Sequence, residues 1–231
     1  MIPLRSDQPR FSTPFVTGFL IAVNLLIYFF QFSMGPRAEL RLVYQFGLIP
    51  AHVISLLAGA RHVELAAALI PVITSMFLHG SWMHVIGNMW FLWIFGGAIE
   101  DHVGHLAYLM FYLLSGVTAA FAQVILSPQS HVPTVGASGA IAGVLGAFFL
   151  LYPKSRVLTW FPPIFLFYLP AWVMLGYWFV LQFIGGAVTA AAQASQMGGI
   201  AFWAHVGGFI AGILLIKIFP ERPRRYRYGT W

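Results

Sequence analysis

The stretch Pro133-Thr134-Val135-Gly136-Ala137-Ser138-Gly139-Ala140 decides how this chain is read. It opens the apolar run 135–152 and sets one hydroxyl among small residues at the mouth of a hydrophobic helix. A serine there is ordinarily a packing residue or a partner for the backbone. The rest of the chain decides whether Ser138 is more than that.

The 231 residues are 60% hydrophobic and 8% charged, where an average soluble domain is about 25% charged. Mean hydropathy is +0.83. Lipid is therefore the solvent for most of the chain, which reads as an integral, multi-pass membrane protein. There are no cysteines, so disulfides, thiol chemistry and cysteine-held metals are excluded. The net charge of +6 sits in short loops and at the C-terminus. It reads as an orientation signal, with no nucleic-acid partner. Arg5 and Arg10 precede the run 15–32. That run is longer than the core of a signal peptide and no small-residue cleavage site follows, so it reads as a retained span.

Six runs have a length close to the roughly 20 residues that cross a bilayer as helix: 15–32, 82–99, 103–126, 135–152, 164–188 and 200–219. Pro170 lies in the fifth and is expected to kink or shorten it. Residues 34–80 form a large first loop. Its apolar segment 65–78, broken by Pro71, is too short to cross and is expected to lie partly in the membrane. The fold class is thus all-α, a bundle of six transmembrane helices in one domain. Residues 1–14 are an N-terminal cytoplasmic segment, 15–219 the core, and 220–231 a basic tail. With the N-terminus inside, the inner face holds Arg5, Arg10, Lys154, Arg156, Lys217, Arg222, Arg224, Arg225 and Arg227; the outer face holds Arg37, Arg41 and Arg61. This bias puts both termini in the cytoplasm, and a prokaryotic cell membrane is the expected location. The tail is expected to anchor on lipid head groups.

Spans two, four and six then all begin at the outer face, and the polar residues cluster there. Span two carries His79, His84 and Asn88, the last two sharing one helix face. Span four carries Ser138, and span six carries His205. Ionisable groups are costly in hydrocarbon, so they point inward and mark function. Gly139 and Gly143 in span four, with Gly208 and Gly212 in span six, form small-xxx-small patterns that permit close backbone approach. If those faces meet, Ser138 and His205 come within hydrogen-bond reach. Ser138 is then the expected nucleophile and His205 its base. His84, Asn88 and backbone amides at the start of span four are the expected oxyanion donors. No carboxylate lies near, so the pair is read as a dyad. Asn24, Gln123 and Gln182 are expected to hydrogen-bond between helices, and Glu100 and Asp101 to meet nearby loop donors.

Three segments resemble the rhomboid intramembrane serine proteases. Gly136-Ala137-Ser138-Gly139 is similar to their GxSG motif. The segment from His79 through His84 to Asn88 resembles their second-span pattern. Ala204-His205-Val206-Gly207-Gly208, continued to Gly212, resembles their sixth span. The resemblance implies a rhomboid-like bundle around a water-filled cavity, with Ser138 and His205 catalytic and His84, Asn88 and the Ser138 amide as the oxyanion hole. It implies that Gly136 and Ala137 shape the start of span four. It also implies single-span membrane proteins as substrates, reaching the site past span five beneath the cap loop 191–199, and no cofactor. At Ala142 some family members carry an aromatic that stacks on the imidazole, so what orients His205 stays open. The first loop lacks the Trp-Arg pair of some bacterial members.

His79 is expected to be structural, holding the first loop to span two. A zinc site of His79, His84 and His205 is disfavoured because no HExxH pattern is present and no carboxylate lies near. Two rival readings are a rhomboid-like protein that binds and routes membrane clients without cutting them, and a transporter with a histidine relay. The second lacks charges within the spans and paired half-helices.

Overall fold

The computed structural model describes residues 1–60, 64–191 and 201–222. The chain starts with a strand, β1 (Ile2–Ser6), and then forms the long helix α1 (Phe15–Ser33). No side chain caps α1 from its own N-cap position, Pro14. Glu100 does so from a distant helix, accepting from the Val16 and Thr17 amides at 2.8 Å each and from the Thr17 hydroxyl at 2.7 Å. The first amides of a helix have no partner within it, and this carboxylate supplies one.

The large first loop folds into three short helices, α2 (Pro36–Phe46), α3 (Pro50–Leu57) and α4 (Leu65–Thr74), followed by a 3-10 turn at Ser75–Phe77. Proline opens both α2 and α3, where its fixed φ suits a helix start and its missing N–H costs nothing. The ten residues of α4 rise about 15 Å, half a bilayer core. This segment does not cross and instead packs on α2, α3 and the later helix α6 (His105–Leu126). Arg61 and His62 lie outside the described residues.

Helix α5 (Trp82–Val103) is capped by the Ser81 hydroxyl, which accepts from the His84 amide at 3.2 Å. Gly104, at φ +86°, turns the chain directly from α5 into α6. That left-handed conformation favours glycine, and it makes this reversal tighter than the sequence suggested. Next come α7 (Ser138–Leu151), the hairpin β2 (Arg156–Phe161) and β3 (Phe165–Pro170), then α8 (Ala171–Ala191) and α9 (Phe202–Leu215).

The protein is a polytopic helical bundle. Among the described residues, α1, α5, α6 and α8 are long and apolar enough to cross a membrane. Helices α7 and α9 have 14 residues each and rise about 21 Å. Longer neighbours shield α7, in which Gly139 to Phe148 are all buried, while α9 buries the face that carries His205, Gly208 and Gly212 and leaves Ile210 and Leu214 exposed. The two are clasped through glycine. A Cβ on Gly208 would strike the Gly139 carbonyl, one on Gly212 the Gly143 carbonyl, and one on Gly146 the Phe209 carbonyl. These are the small-residue pairs expected from sequence, meeting face to face.

Beside the helical bundle lies a small three-stranded antiparallel sheet, in the order β1-β2-β3, that the span assignment does not include. Residues 164–170, read as the start of the fifth span, lie in the hairpin, and the helix starts at Ala171, just past Pro170. An aromatic run such as Ile164-Phe165-Leu166-Phe167-Tyr168 is as apolar as a helix, and hydropathy does not tell the two apart. Residues 1–14 are likewise more than a leading tail. Ile2 pairs with Trp160, the Trp90 indole donates to the Pro3 carbonyl at 2.6 Å, and Arg10 donates to the Trp93 carbonyl at 3.1 Å. The sheet thereby rests on α5 through β1 and on α8 through β2 and β3. The basic tail beyond Arg222 lies outside the described residues.

Candidate active site

Ser138 is the first residue of α7, and two contacts from the first loop fix how the chain reaches it. Leu48 and Thr134 exchange backbone hydrogen bonds at 3.0 and 2.7 Å, and the Gly136 amide donates to the Ser75 carbonyl at 2.9 Å. Gly136 has φ +129°, and a Cβ there would lie 2.7 Å from His84 Nε2. Both facts require glycine at 136. Ala137, fully buried, occupies the N-cap position without a capping side chain. The Ser138 amide thus lies at the positive end of a helix, among the first amides that find no partner within the helix itself. Gly139 lets α7 close onto Ala119 of α6 and Ala204 of α9.

His205 lies one turn into α9. Its Nε2 is 2.7 Å from Ser138 Oγ, and its Nδ1 is 2.7 Å from Gln182 Oε1 on α8. The amide oxygen only accepts, so Nδ1 carries the ring proton and Nε2 is left to accept from the serine hydroxyl. The Trp178 ring, one turn before Gln182, lies 5.8 Å from the imidazole and tilted by 37°. The Gln123 Oε1 of α6 accepts from the Ala204 amide at 3.1 Å, which satisfies an otherwise orphaned donor at the start of α9.

Ser138, His205, Gln182 and Trp178 line one cavity of about 700 Å³, together with His84 and Asn88 of α5. Asn88 is buried and its Nδ2 has no hydrogen-bond partner among the described residues. Leaving a buried amide donor unpaired costs about 1–3 kcal/mol, and this one borders the cavity. Ser138, His205, His84 and Asn88, grouped from three separate stretches of sequence, therefore share one chamber.

His79 stands outside that chamber's lining. Its backbone N–H donates to Gln31 Oε1 at 3.0 Å and its carbonyl accepts from Gln31 Nε2 at 3.1 Å. This two-way clamp joins α1 to the turn before α5, and the His79 ring meets the His84 ring of α5 edge-on at 5.1 Å. Burial, with His84 adding to it, lowers the His79 pKa to about 3, so its ring is neutral. Gln123 and Gln182 do bond between helices as expected. Asn24 does not: its Nδ2 donates to the Leu20 carbonyl at 2.7 Å within α1. Glu100 and Asp101 meet the donors of the first helix and the segment before it, Asp101 accepting from the Phe11 amide and the Ser12 hydroxyl.

Gln182 and Trp178 are what the sequence reading missed as site residues. From sequence, Gln182 is expected only to hydrogen-bond between helices. The available signal was their four-residue spacing, which puts a lone amide and an indole on one face of a span without charges.

The fold and the chamber define a class: a polytopic membrane protein whose bundle sinks a serine–histidine pair into a cavity. The Rhomboid domain matches residues 66–222, and the chain belongs to the rhomboid family. It is 31% identical over 172 residues to Rhomboid protein 1, mitochondrial, of Saccharomyces cerevisiae, covering 70% of this chain and 47% of that one. It is 30% identical over 159 residues to the Presenilin-associated rhomboid-like protein, mitochondrial, of Homo sapiens, covering 65% and 38%. With Rhomboid-like protein 11, chloroplastic, of Arabidopsis thaliana, it shares 30% over 165 residues, covering 65% and 52%. The chain spans about half or less of the length of these relatives. The expected prokaryotic membrane is not borne out, since these relatives are mitochondrial or chloroplastic by name. Charge bias reports which side of a membrane a loop lies on, not which membrane it is.

Proposed function

We propose that this protein is an intramembrane serine endopeptidase that cuts peptide bonds in or beside the transmembrane segments of single-span membrane proteins. The 2.7 Å bond between His205 Nε2 and Ser138 Oγ carries this reading. A hydroxyl donating to an unprotonated imidazole nitrogen is the ground state of base-assisted nucleophilic attack.

In this mechanism Ser138 Oγ adds to the substrate carbonyl carbon as its proton passes to His205 Nε2. The carbonyl oxygen takes up negative charge. The Asn88 amide, the His84 ring and the Ser138 amide are the donors for it. The C–N bond then breaks as His205 returns the proton to the departing amine. Water entering the chamber attacks the resulting ester by the same route, and the acid is released with Ser138 regenerated. Gly136, Ala137, Gly139, Gly208 and Gly212 support this arrangement. The lipid around the bundle brings the substrate alongside, and the termini are cytoplasmic under this topology. The cap loop, residues 191–199, lies almost entirely outside the described residues.

The deciding experiment is covalent labelling of detergent-purified protein with a fluorophosphonate probe. Labelling is expected in the wild type and absent in Ser138→Ala and His205→Ala. A wild type that stays unlabelled and leaves a single-span reporter uncut would favour a client-binding role.

A further inference from the structure

The geometry points to Gln182 as the residue that positions His205, holding it as a base only while α8 is seated against α9. This rests on the proposed Ser138–His205 chemistry and adds a third member to it.

The first support is the hydrogen-bond pattern. An imidazole can serve Ser138 as a base only if the nitrogen facing the hydroxyl lacks a proton. Gln182 Oε1 enforces that by taking the Nδ1 proton as a 2.7 Å hydrogen bond. Without this acceptor both tautomers become available, and one of them presents Nε2–H to the serine and cannot accept its proton. A neutral amide suits this place. It fixes ring and tautomer as a carboxylate does in a soluble triad, without burying an uncompensated charge in an apolar bundle.

The second support is where Gln182 comes from. Ser138 and His205 sit on α7 and α9, whose backbones are locked by glycine contacts. Their separation is therefore built in. Gln182 and Trp178 sit on α8, whose buried residues are only Ala171, Met174, Leu175 and Gly186. Beside Gln182, α8 meets α9 through Gly186, where a Cβ would lie 3.0 Å from the Trp203 ring. Gly186 is one turn after Gln182 and on the same face. The nucleophile–base distance is thus set by the rigid pair, and the state of the base by the helix with the least buried surface of the long spans.

The test uses full-length protein in detergent, Gln182→Leu, Gln182→Glu and Gly186→Val. The primary readout is the 15N spectrum of His205, assigned by difference against His205→Ala. The wild type is expected to show Nδ1–H. Gln182→Leu and Gly186→Val are expected to show a tautomer mixture, and Gln182→Glu to keep Nδ1–H. On a single-span reporter, kcat is expected to fall at least tenfold in Gln182→Leu with KM within twofold, and to recover in Gln182→Glu. Gly186→Val should lose kcat similarly, and the double variant Gln182→Leu/Gly186→Val should lose no more. An unchanged His205 tautomer in Gln182→Leu, or a kcat within twofold of wild type, would overturn the inference. A wild type that shows Nδ1–H but neither labels nor cuts would instead sink the protease reading and leave the positioning bond standing.

Discussion

Gly212 of α9 lies so close to the carbonyl of Gly143 of α7 that no side chain fits between them. The same holds for Gly208 against the Gly139 carbonyl. In a bilayer the helices gain little from leaving lipid, so close packing decides which faces meet. Here it decides that the start of α7 faces the first turns of α9. The Ser138–His205 bond follows from that clasp.

Gly212→Val should therefore separate the helices. Overpacking a filled contact commonly costs about 1–3 kcal/mol, and this one drives a branched side chain into a backbone. Thermal unfolding in detergent should show a clear loss of stability, and probe labelling should vanish. Gly18→Ala is the control, since nothing lies within 4 Å of a Cβ there. It should leave stability unchanged or raise it by up to about 1 kcal/mol, the helix preference of alanine over glycine. Equal effects from the two would mean that the clasp is not what holds the pair together.

Asn88→Ala should test the unpaired amide. Removing one preorganised donor from an oxyanion site typically lowers kcat by about 10²–10³. The variant should show such a fall with KM little changed, and it should fold normally, because Asn88 Nδ2 has no hydrogen-bond partner among the described residues. A kcat near wild type would remove Asn88 from the mechanism.

Much of this site was legible in the chain because its signals are local. Gly-x-Ser-Gly before an apolar run, His84 and Asn88 four apart, and His205 followed by Gly208 and Gly212 are each readable without knowing the fold. What was not legible depends on tertiary contact. The role of Gln182 appears only once α8 is laid beside α9. The aromatic missing at 142 is answered by Trp178, from another helix. The sheet was hidden because β1 finds its partner more than 150 residues away, and because Phe165 to Tyr168 are as apolar as any span.

Gly136→Ala should separate geometry from stability. Its φ of +129° is one that residues with a side chain rarely adopt, and the new methyl would lie 2.7 Å from His84 Nε2. Such backbone strain costs about 1–3 kcal/mol. Gly136 is also tied by its amide to Ser75, so the chain cannot relax freely and His84 must give way. The expected result is a modest drop in Tm with a much larger loss of cleavage. A loss of activity no greater than the loss of folded protein would mean that the His84 ring position does not matter.

Glu100→Ala should show how much the end of the bundle opposite Ser138 rests on one carboxylate. Glu100 is fully buried, and besides its bonds to Val16 and Thr17 it lies 2.6 Å from His105 Nδ1. It thus joins the starts of α1 and α6 to the end of α5. Truncation removes the acceptor of the buried Thr17 amide and hydroxyl and of the part-buried Val16 amide, and each buried orphaned donor costs about 1–3 kcal/mol. Destabilisation of about 3 kcal/mol or more is expected in a denaturant titration. Glu100→Gln keeps one acceptor oxygen but turns an amide N–H₂ toward donors, so it should fall between wild type and Ala. The serine–histidine pair lies toward the other end of α5, so whatever Glu100→Ala protein remains folded should still take the probe at the wild-type rate. A slower rate in that folded fraction would mean that the two ends of the bundle are mechanically coupled.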